Sequence, residues 1–299
     1  MRTETVTSAS NPKIRNLLLL QEKSRARREQ GLFVVEGRRE LEHCIAAGYS
    51  VRTLFVCPEI SGETAEGVVS QISGHPRPDK REWPAGKACG RGRSEAKAIC
   101  DTIPSAVMPS VIEIPELLYR KVAYRESTEG IIAEVEYKER TLSDLHLPGN
   151  PLIMVLESVE KPGNLGAVLR SADAAGADAV LICDPLTDLY NPNLIRASIG
   201  AVFTVPTVAC SSEEAIRFLK ERDIQILTAQ LQDSSLYYDV DMRRGTALVM
   251  GTESTGLTQI WREAADAHIR IPMLGRLDSL NVSVSASILL FEAVRQRQV

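Results

Sequence analysis

The chain has 299 residues, 44% of them apolar, 25% charged and only 5% aromatic, with a formal charge of −4. That composition excludes a disordered chain and a uniformly cationic one, and the length allows two domains of about 150 residues or one large domain with an appendage. Six scattered cysteines (Cys44, Cys57, Cys89, Cys100, Cys183, Cys210), with no CxxC pair and no histidine at zinc-ligand spacing, argue against a metal site and a disulfide framework. No apolar run approaches the roughly 20 residues of a spanning helix, and Met1-Arg2-Thr3-Glu4 opens without an apolar signal core. The expectation is a cytoplasmic protein with free thiols and no membrane segment.

In chain order, the first 58 residues read as a helix with Leu17 to Leu20 on its apolar side, a strand at 32–35, a helix at 38–47 and a strand at 53–56. Between Asn11 and Arg28, Lys13, Arg15, Lys23, Arg25, Arg27 and Arg28 face a single acid, Glu22, for a local charge of +5 over 18 residues. Such a patch binds phosphates or is the solvated face of a helix, and charge alone leaves both open. Residues 73–101, rich in Pro, Gly and charge, read as an exposed insertion. Strands resume at 111–114 and 131–135, and a domain boundary is expected between Lys138 and Asn150.

Beyond it, apolar runs at 152–156, 179–183, 224–228, 247–250 and 268–271 alternate with helical patterns at 166–175, 194–202, 212–221, 257–264 and 282–297. Continuously apolar strands alternating with helices predict a parallel sheet covered on both faces, with function in the loops at the carboxyl ends of the strands. Neither a GxxxxGK[ST] nor a strand-linked GxGxxG occurs, which removes the main support for nucleotide hydrolysis and dinucleotide binding. Three polar loops follow strands instead. In Glu157 to Gly166, Asn164 is placed to cap a helix and Arg170, two turns on, to bind a phosphate or make a surface ion pair. In Gly251 to Gly256, the glycines admit close backbone approach, and Glu253 between them accepts a hydrogen bond from a ligand or simply starts a helix. In Ile271 to Ala286, Ser279 and Asn281 straddle a turn into a helix that starts with small hydroxylated residues.

Taken together, Asn164-x-Gly166-x-x-x-Arg170, Gly251-x-Glu253-x-x-Gly256, and Ile271-Pro272-Met273 followed by Ser279-Leu280-Asn281-Val282-Ser283 resemble the three motifs of the SpoU (TrmH-like) RNA 2′-O-methyltransferases of the SPOUT superfamily. The resemblance covers about 150–297 and includes Asn191-Pro192 and Arg196-Ala197-Ser198. Asn11-Pro12-Lys13 and Phe33-Val34-Val35-Glu36-Gly37 resemble the substrate-binding domain, related to ribosomal protein L30e, that many members carry.

The resemblance implies an α/β fold: a C-terminal parallel-sheet domain with a deep trefoil knot over 150–299, preceded by a smaller L30e-like α/β domain over 1–140 that binds RNA. It implies S-adenosyl-L-methionine as cofactor, ribosomal or transfer RNA as substrate, and a homodimer. The catalytic positions carried over are Asn164, Arg170, Glu253, Ser279 and Asn281. The implied cofactor pocket comprises Thr228, Ala229, Gln230, Gly251, Glu253, Gly256, Ile271, Met273, Leu280, Asn281, Val282, Ser283 and Ala286, and the RNA contacts are Lys13, Arg15, Arg25, Arg27, Arg28, Arg170 and Arg196. Since a guanidinium is a poor base, Arg170 is assigned to orient phosphate and stabilise a developing alkoxide. A non-catalytic RNA-binding protein and a base methyltransferase are the alternatives.

Overall fold

The computed structural model describes residues 3–62, 68, 109–124, 129–252, 254–276 and 279–298; the polar stretch 73–101 and Glu253 lie outside them. The chain divides into two compact units, Met1–Tyr137 and Lys138–Val299.

The first unit runs β1 (Thr3–Thr5), α1 (Pro12–Glu22), α2 (Ser24–Gln30), β2 (Leu32–Glu36), α3 (Arg38–Ala46), β3 (Val51–Val56), α4 (Pro58–Ser61), β4 (Ser110–Glu113), α5 (Glu116–Val122) and β5 (Ile131–Glu136). Its strands form one mixed sheet in the order β1-β4-β3-β5-β2, in which β5 is antiparallel to both neighbours. Asn11 starts α1 by accepting the Lys13 N–H at 2.9 Å, and Pro12 occupies the first helical position, where no backbone donor is needed. Ile14, Leu17 and Leu20 recur at helical spacing and are fully buried, whereas Leu19 is 43% exposed. The leucine run is therefore one edge of an amphipathic helix.

The basic segment is not uniformly available. Arg27 is 2% exposed, and its Nη1 donates to the carbonyls of Leu20 at 2.7 Å and Gln21 at 3.2 Å, closing the C-terminal end of α1. The expected role of Arg27 as an RNA contact is thereby corrected: its guanidinium is enclosed by its own unit. Lys13 pairs with Glu4 and Arg25 with Glu29, each at 2.6 Å. Arg15, Lys23 and Arg28 are exposed and form no ion pair with described residues.

The second unit runs through a 3-10 turn (Leu142–Asp144), β6 (Leu152–Glu157), α6 (Pro162–Ala174), β7 (Ala179–Cys183), α7 (Pro192–Ala197), α8 (Ala201–Thr204), β8 (Thr207–Cys210), α9 (Ser212–Lys220), β9 (Gln225–Ala229), β10 (Ser235–Leu236), β11 (Thr246–Met250), α10 (Gln259–Ala264), β12 (Ala267–Arg270) and α11 (Val282–Arg297). Its seven strands are all parallel, in the order β10-β12-β9-β11-β6-β7-β8. Alternate residues Ile153, Val155, Leu181 and Val249 join Phe218 of α9 and Trp261 of α10 in one buried cluster. Residues of the opposite parity, such as Met154, Leu156 and Ile182, are buried as well, and α6 and α11 pack on each other and on β6, β7 and β11. Both faces are thus covered, as continuous apolar strands require.

The expected helix at 194–202 is two helices. Ile199 at φ 52° and Gly200 at φ 79° place consecutive residues in the left-handed region, which no right-handed helix continues. Strands β1, β8 and β10 were not expected; they are short elements of two to four residues at sheet edges, too brief to carry an apolar pattern. Cys44, Cys57, Cys183 and Cys210 are free thiols. Among the described residues no helix is long and apolar enough to cross a membrane.

One buried acid gives the first unit a pH signature. Glu134 on β5 is 6% exposed and accepts from Asn16 Nδ2 at 3.3 Å, and burial pushes its carboxyl above the ordinary value of 4.5. Its favourable contribution is complete below that ordinary value and is lost as pH rises through the folded value. The unfolding free energy of wild type relative to Glu134→Gln should therefore fall as pH is raised above 4.5 in denaturant titrations; a pH-independent difference would mean the carboxyl is effectively solvated.

Candidate active site

Because the large sheet is parallel, every strand delivers its following loop to the same edge, and the order β12-β9-β11-β6 places four such loops side by side. They are the loops that follow Glu157, Ala229, Met250 and Arg270.

The first loop leaves β6 through Ser158 at φ 52° and enters α6. The helix begins at Pro162 with Lys161 in the capping position and no side-chain cap bond. Asn164 therefore lies inside the first turn, which corrects its expected place as the cap. It has a different use: its Oδ1 accepts from Asn281 Nδ2 at 3.1 Å, linking the first loop to the third across 117 residues. Arg170, two turns along α6, is exposed and its side chain makes no hydrogen bond or ion pair with a described residue, so the surface ion pair foreseen as the alternative is not present among the described residues. Gly166 is where α6 meets α7; a Cβ there would lie 2.5 Å from Ala197 Cβ and 2.7 Å from Ser198 N. That close crossing carries Arg196, exposed and with no ion pair to described residues, next to the contact point.

The second loop is pinched at its base. Gly256 N–H donates to Thr252 O at 3.0 Å, and a Cβ on Gly251 would lie 2.3 Å from Gly256 C, closer than any side chain tolerates. Gly256 adopts φ 68°, a second reason for glycine. Glu253 falls outside the described residues.

The third loop ends at Asn281, which caps α11 by accepting Ser283 N–H at 3.0 Å and Ser283 Oγ–H at 2.6 Å. Ser279 and Leu280 are exposed, Ile271, Met273 and Ser283 are half-buried, and Val282 and Ala286 point into the core. Ser287, one turn on, meets Ser171 of α6 at 2.7 Å, so the small hydroxylated start of α11 lets the two helices pack closely.

Within β9, Thr228 is wholly buried, its hydroxyl 2.6 Å from His268 Nδ1 and its backbone in register with Val249 on one side and His268 on the other, which corrects its expected place as a pocket-lining residue. Gln230 is half-buried, with its N–H on Ile269 O at 3.0 Å and its Nε2 on Gln232 O at 2.9 Å. Its Oε1 is enclosed and has no partner among the described residues.

Sequence reasoning passed over Glu157 and Thr258. Glu157 is 2% exposed; its Oε2 accepts Thr258 N–H at 2.9 Å and its Oε1 accepts the Thr258 hydroxyl at 2.5 Å. Nearby, Trp261 Nε1 donates to Ser212 Oγ at 2.9 Å, and Ser212 donates to Asp184 Oδ2 at 2.6 Å. The available signal was an acid ending an otherwise wholly apolar strand.

With this geometry, residues 151–291 match the SpoU rRNA Methylase family and residues 11–79 match the MRM3-like substrate binding domain. The 23S rRNA (guanosine-2′-O-)-methyltransferase RlmB of Bordetella pertussis is 40% identical over 178 residues, 57% of this chain and 71% of the relative. The RlmB of Pseudomonas putida is 32% identical over 241 residues, 78% of this chain and 94% of its own length. Among solved structures, an RNA 2′-O ribose methyltransferase is 35% identical with a TM-score of 0.75, covering 99% of this chain and 100% of the other. An AdoMet-bound rRNA methyltransferase from Sinorhizobium meliloti is 27% identical with a TM-score of 0.78, covering 98% of each chain.

The pinch at Gly251 yields a direct test. Gly251→Ala should lower the unfolding free energy by about 1–3 kcal/mol, since the clash is with backbone. Gly275→Ala, at an open site with nothing within 4 Å of the added Cβ, should stay within about 0.5 kcal/mol of wild type. Chemical denaturation of the two variants reads the contrast.

Proposed function

Because the chain belongs to the SpoU rRNA methylase family, we propose that it transfers a methyl group from S-adenosyl-L-methionine to a ribose 2′-hydroxyl of ribosomal RNA. The observation that carries this reading is the Asn281–Asn164 bond. It joins the first and third motif loops at the sheet edge from which the Gly251 loop also leaves.

The residues present fit the cofactor. The unpartnered Gln230 Oε1 suits an amino or hydroxyl donor of an adenosine, and the backbone following Thr228, the Gly251–Gly256 pinch, Ile271, Met273 and Leu280 border the same edge. When bound, S-adenosylmethionine supplies a methyl group already activated on a sulfonium. The protein's task is then to orient the nucleotide and manage the hydroxyl proton. Arg170, exposed and uncommitted, presents a planar fork to the substrate phosphate and stabilises the oxygen as it gains charge. Asn164 and Asn281 hold each other and set the mouth of the site, with Ser279 and Glu253 completing it in this assignment.

In the first unit, Lys13, Arg15, Arg25 and Arg28, with Lys23, present cations for RNA phosphates, while Arg27 serves the fold. Arg196 adds a cation near α6. The same reading takes the protein as cytoplasmic, knotted and homodimeric; Val284 and Phe291, 47% and 49% exposed and seven residues apart on α11, offer an apolar stripe for a second copy.

Single-turnover transfer of labelled methyl to rRNA tests the assignment. Arg170→Ala should retain cofactor affinity and lose about 10²-fold in transfer, the scale of removing one preorganised electrostatic donor. Arg170→Lys should recover little, because one ammonium does not replace the fork. An alanine variant at wild-type rate would make Arg170 structural. Replacing Arg15, Lys23 and Arg28 together by alanine should weaken RNA binding and flatten its dependence on salt, since fewer counterions are released; an unchanged salt slope would make these charges a solvated face.

A further inference from the structure

We propose that Glu157 is a positioning residue for the cofactor: it fixes the far end of the Gly251–Gly256 loop against the strand that leads into α6. The proposal rests on the S-adenosylmethionine reading above.

Glu157 ends β6, beside β11 in the sheet, and Leu156 pairs in register with Met250, immediately before Gly251. The near end of the glycine loop is thereby set by the sheet. The far end passes through Gly256 and Leu257 to Thr258, which caps α10. A threonine in that position ordinarily accepts a hydrogen bond from its own helix. Thr258 makes no such bond, and its hydroxyl and its N–H both go to the Glu157 carboxylate. The hydrogen bonding that would cap the helix is directed instead to tying the loop to β6.

The carboxylate is suited to this. A buried charge is costly unless every lone-pair direction is answered, and here two short hydrogen bonds from one residue leave little rotational freedom. Ser212 Oγ, at the first position of α9, lies 3.4 Å from Oε1, so Glu157 also sits near that helix's positive end. Directly after Glu157 the chain turns through Ser158 in the left-handed region, and Ser158 N–H bonds Cys183 O at 2.9 Å. Movement of the Glu157 side chain therefore shifts the second loop relative to the first.

The test compares wild type, Glu157→Gln, Thr258→Val, Thr258→Ser and the Glu157→Gln/Thr258→Val double variant. Calorimetry gives the Kd for S-adenosylmethionine, filter binding the Kd for rRNA, and single-turnover assays the rate at limiting and saturating cofactor. Glu157→Gln leaves a neutral side chain with one acceptor oxygen where Thr258 donates both its N–H and its hydroxyl, so both charge-assisted bonds are lost as a pair and cofactor affinity should fall about tenfold. The KM for cofactor should rise with the saturated rate and RNA affinity unchanged. Thr258→Val should match it, Thr258→Ser should restore wild-type affinity, and the double variant should be no weaker than the poorer single one. If Glu157→Gln does not fold, the Thr258 pair decides. Variants that are less stable yet bind S-adenosylmethionine as wild type does would overturn the proposal and leave Glu157 a purely structural tie. A wild-type protein that binds no S-adenosylmethionine would overturn the proposed function and this proposal with it.

Discussion

A parallel strand cannot hand the chain to its neighbour by a short turn; the chain must return along the outside of the sheet before the next strand begins. That constraint organises the second unit. It requires helices on both faces, it buries the strands on both sides, and it sends every outgoing loop to one edge. The strand order then decides which loops are neighbours. Loops far apart in sequence, after Glu157, Ala229, Met250 and Arg270, meet because β6, β11, β9 and β12 are consecutive in the sheet.

At that edge, backbone geometry and side-chain chemistry carry different loads. Glycine at 251 and 256 lets two backbone segments touch, and Gly166 does the same for α6 and α7. The polar links, Asn164 to Asn281 and Glu157 to Thr258, fix what the glycines allow to approach. Arg170 and Arg196 are left outside this network.

Much of this was legible in the residues. The apolar runs that became β6, β7 and β11 are dominated by Val, Ile, Leu, Met and Ala, β9 and β12 keep enough apolar residues to be read as strands despite Gln225, Thr228, His268 and Arg270, and α11 is bounded by the asparagine that caps it. The motif loops stand out because glycine and asparagine punctuate them. What escaped detection had a physical reason. β8 and β10 span only four and two residues, too few for an apolar pattern to register. The 194–202 region looked like one helix because Ile199 gives no sign of a left-handed backbone. Arg27 looked like its neighbours because charge in a sequence does not say which arginine folds back on a helix end. Glu157 and Thr258 are adjacent only through the return of the second loop, and nothing local to either residue announces the other.

The asparagine pair also bears on when the site comes into being. Asn164 is synthesised early in the second unit, but its partner is 117 residues downstream and α11, which it caps, packs on α6, β6 and β11. A ribosome-bound chain shorter than 281 residues can hold the first and second loops in place and still lack the third. Closing so long a loop is slow relative to forming the local helices. Most of the sheet can therefore form before α11 docks, and the first and third loops are joined only when it does.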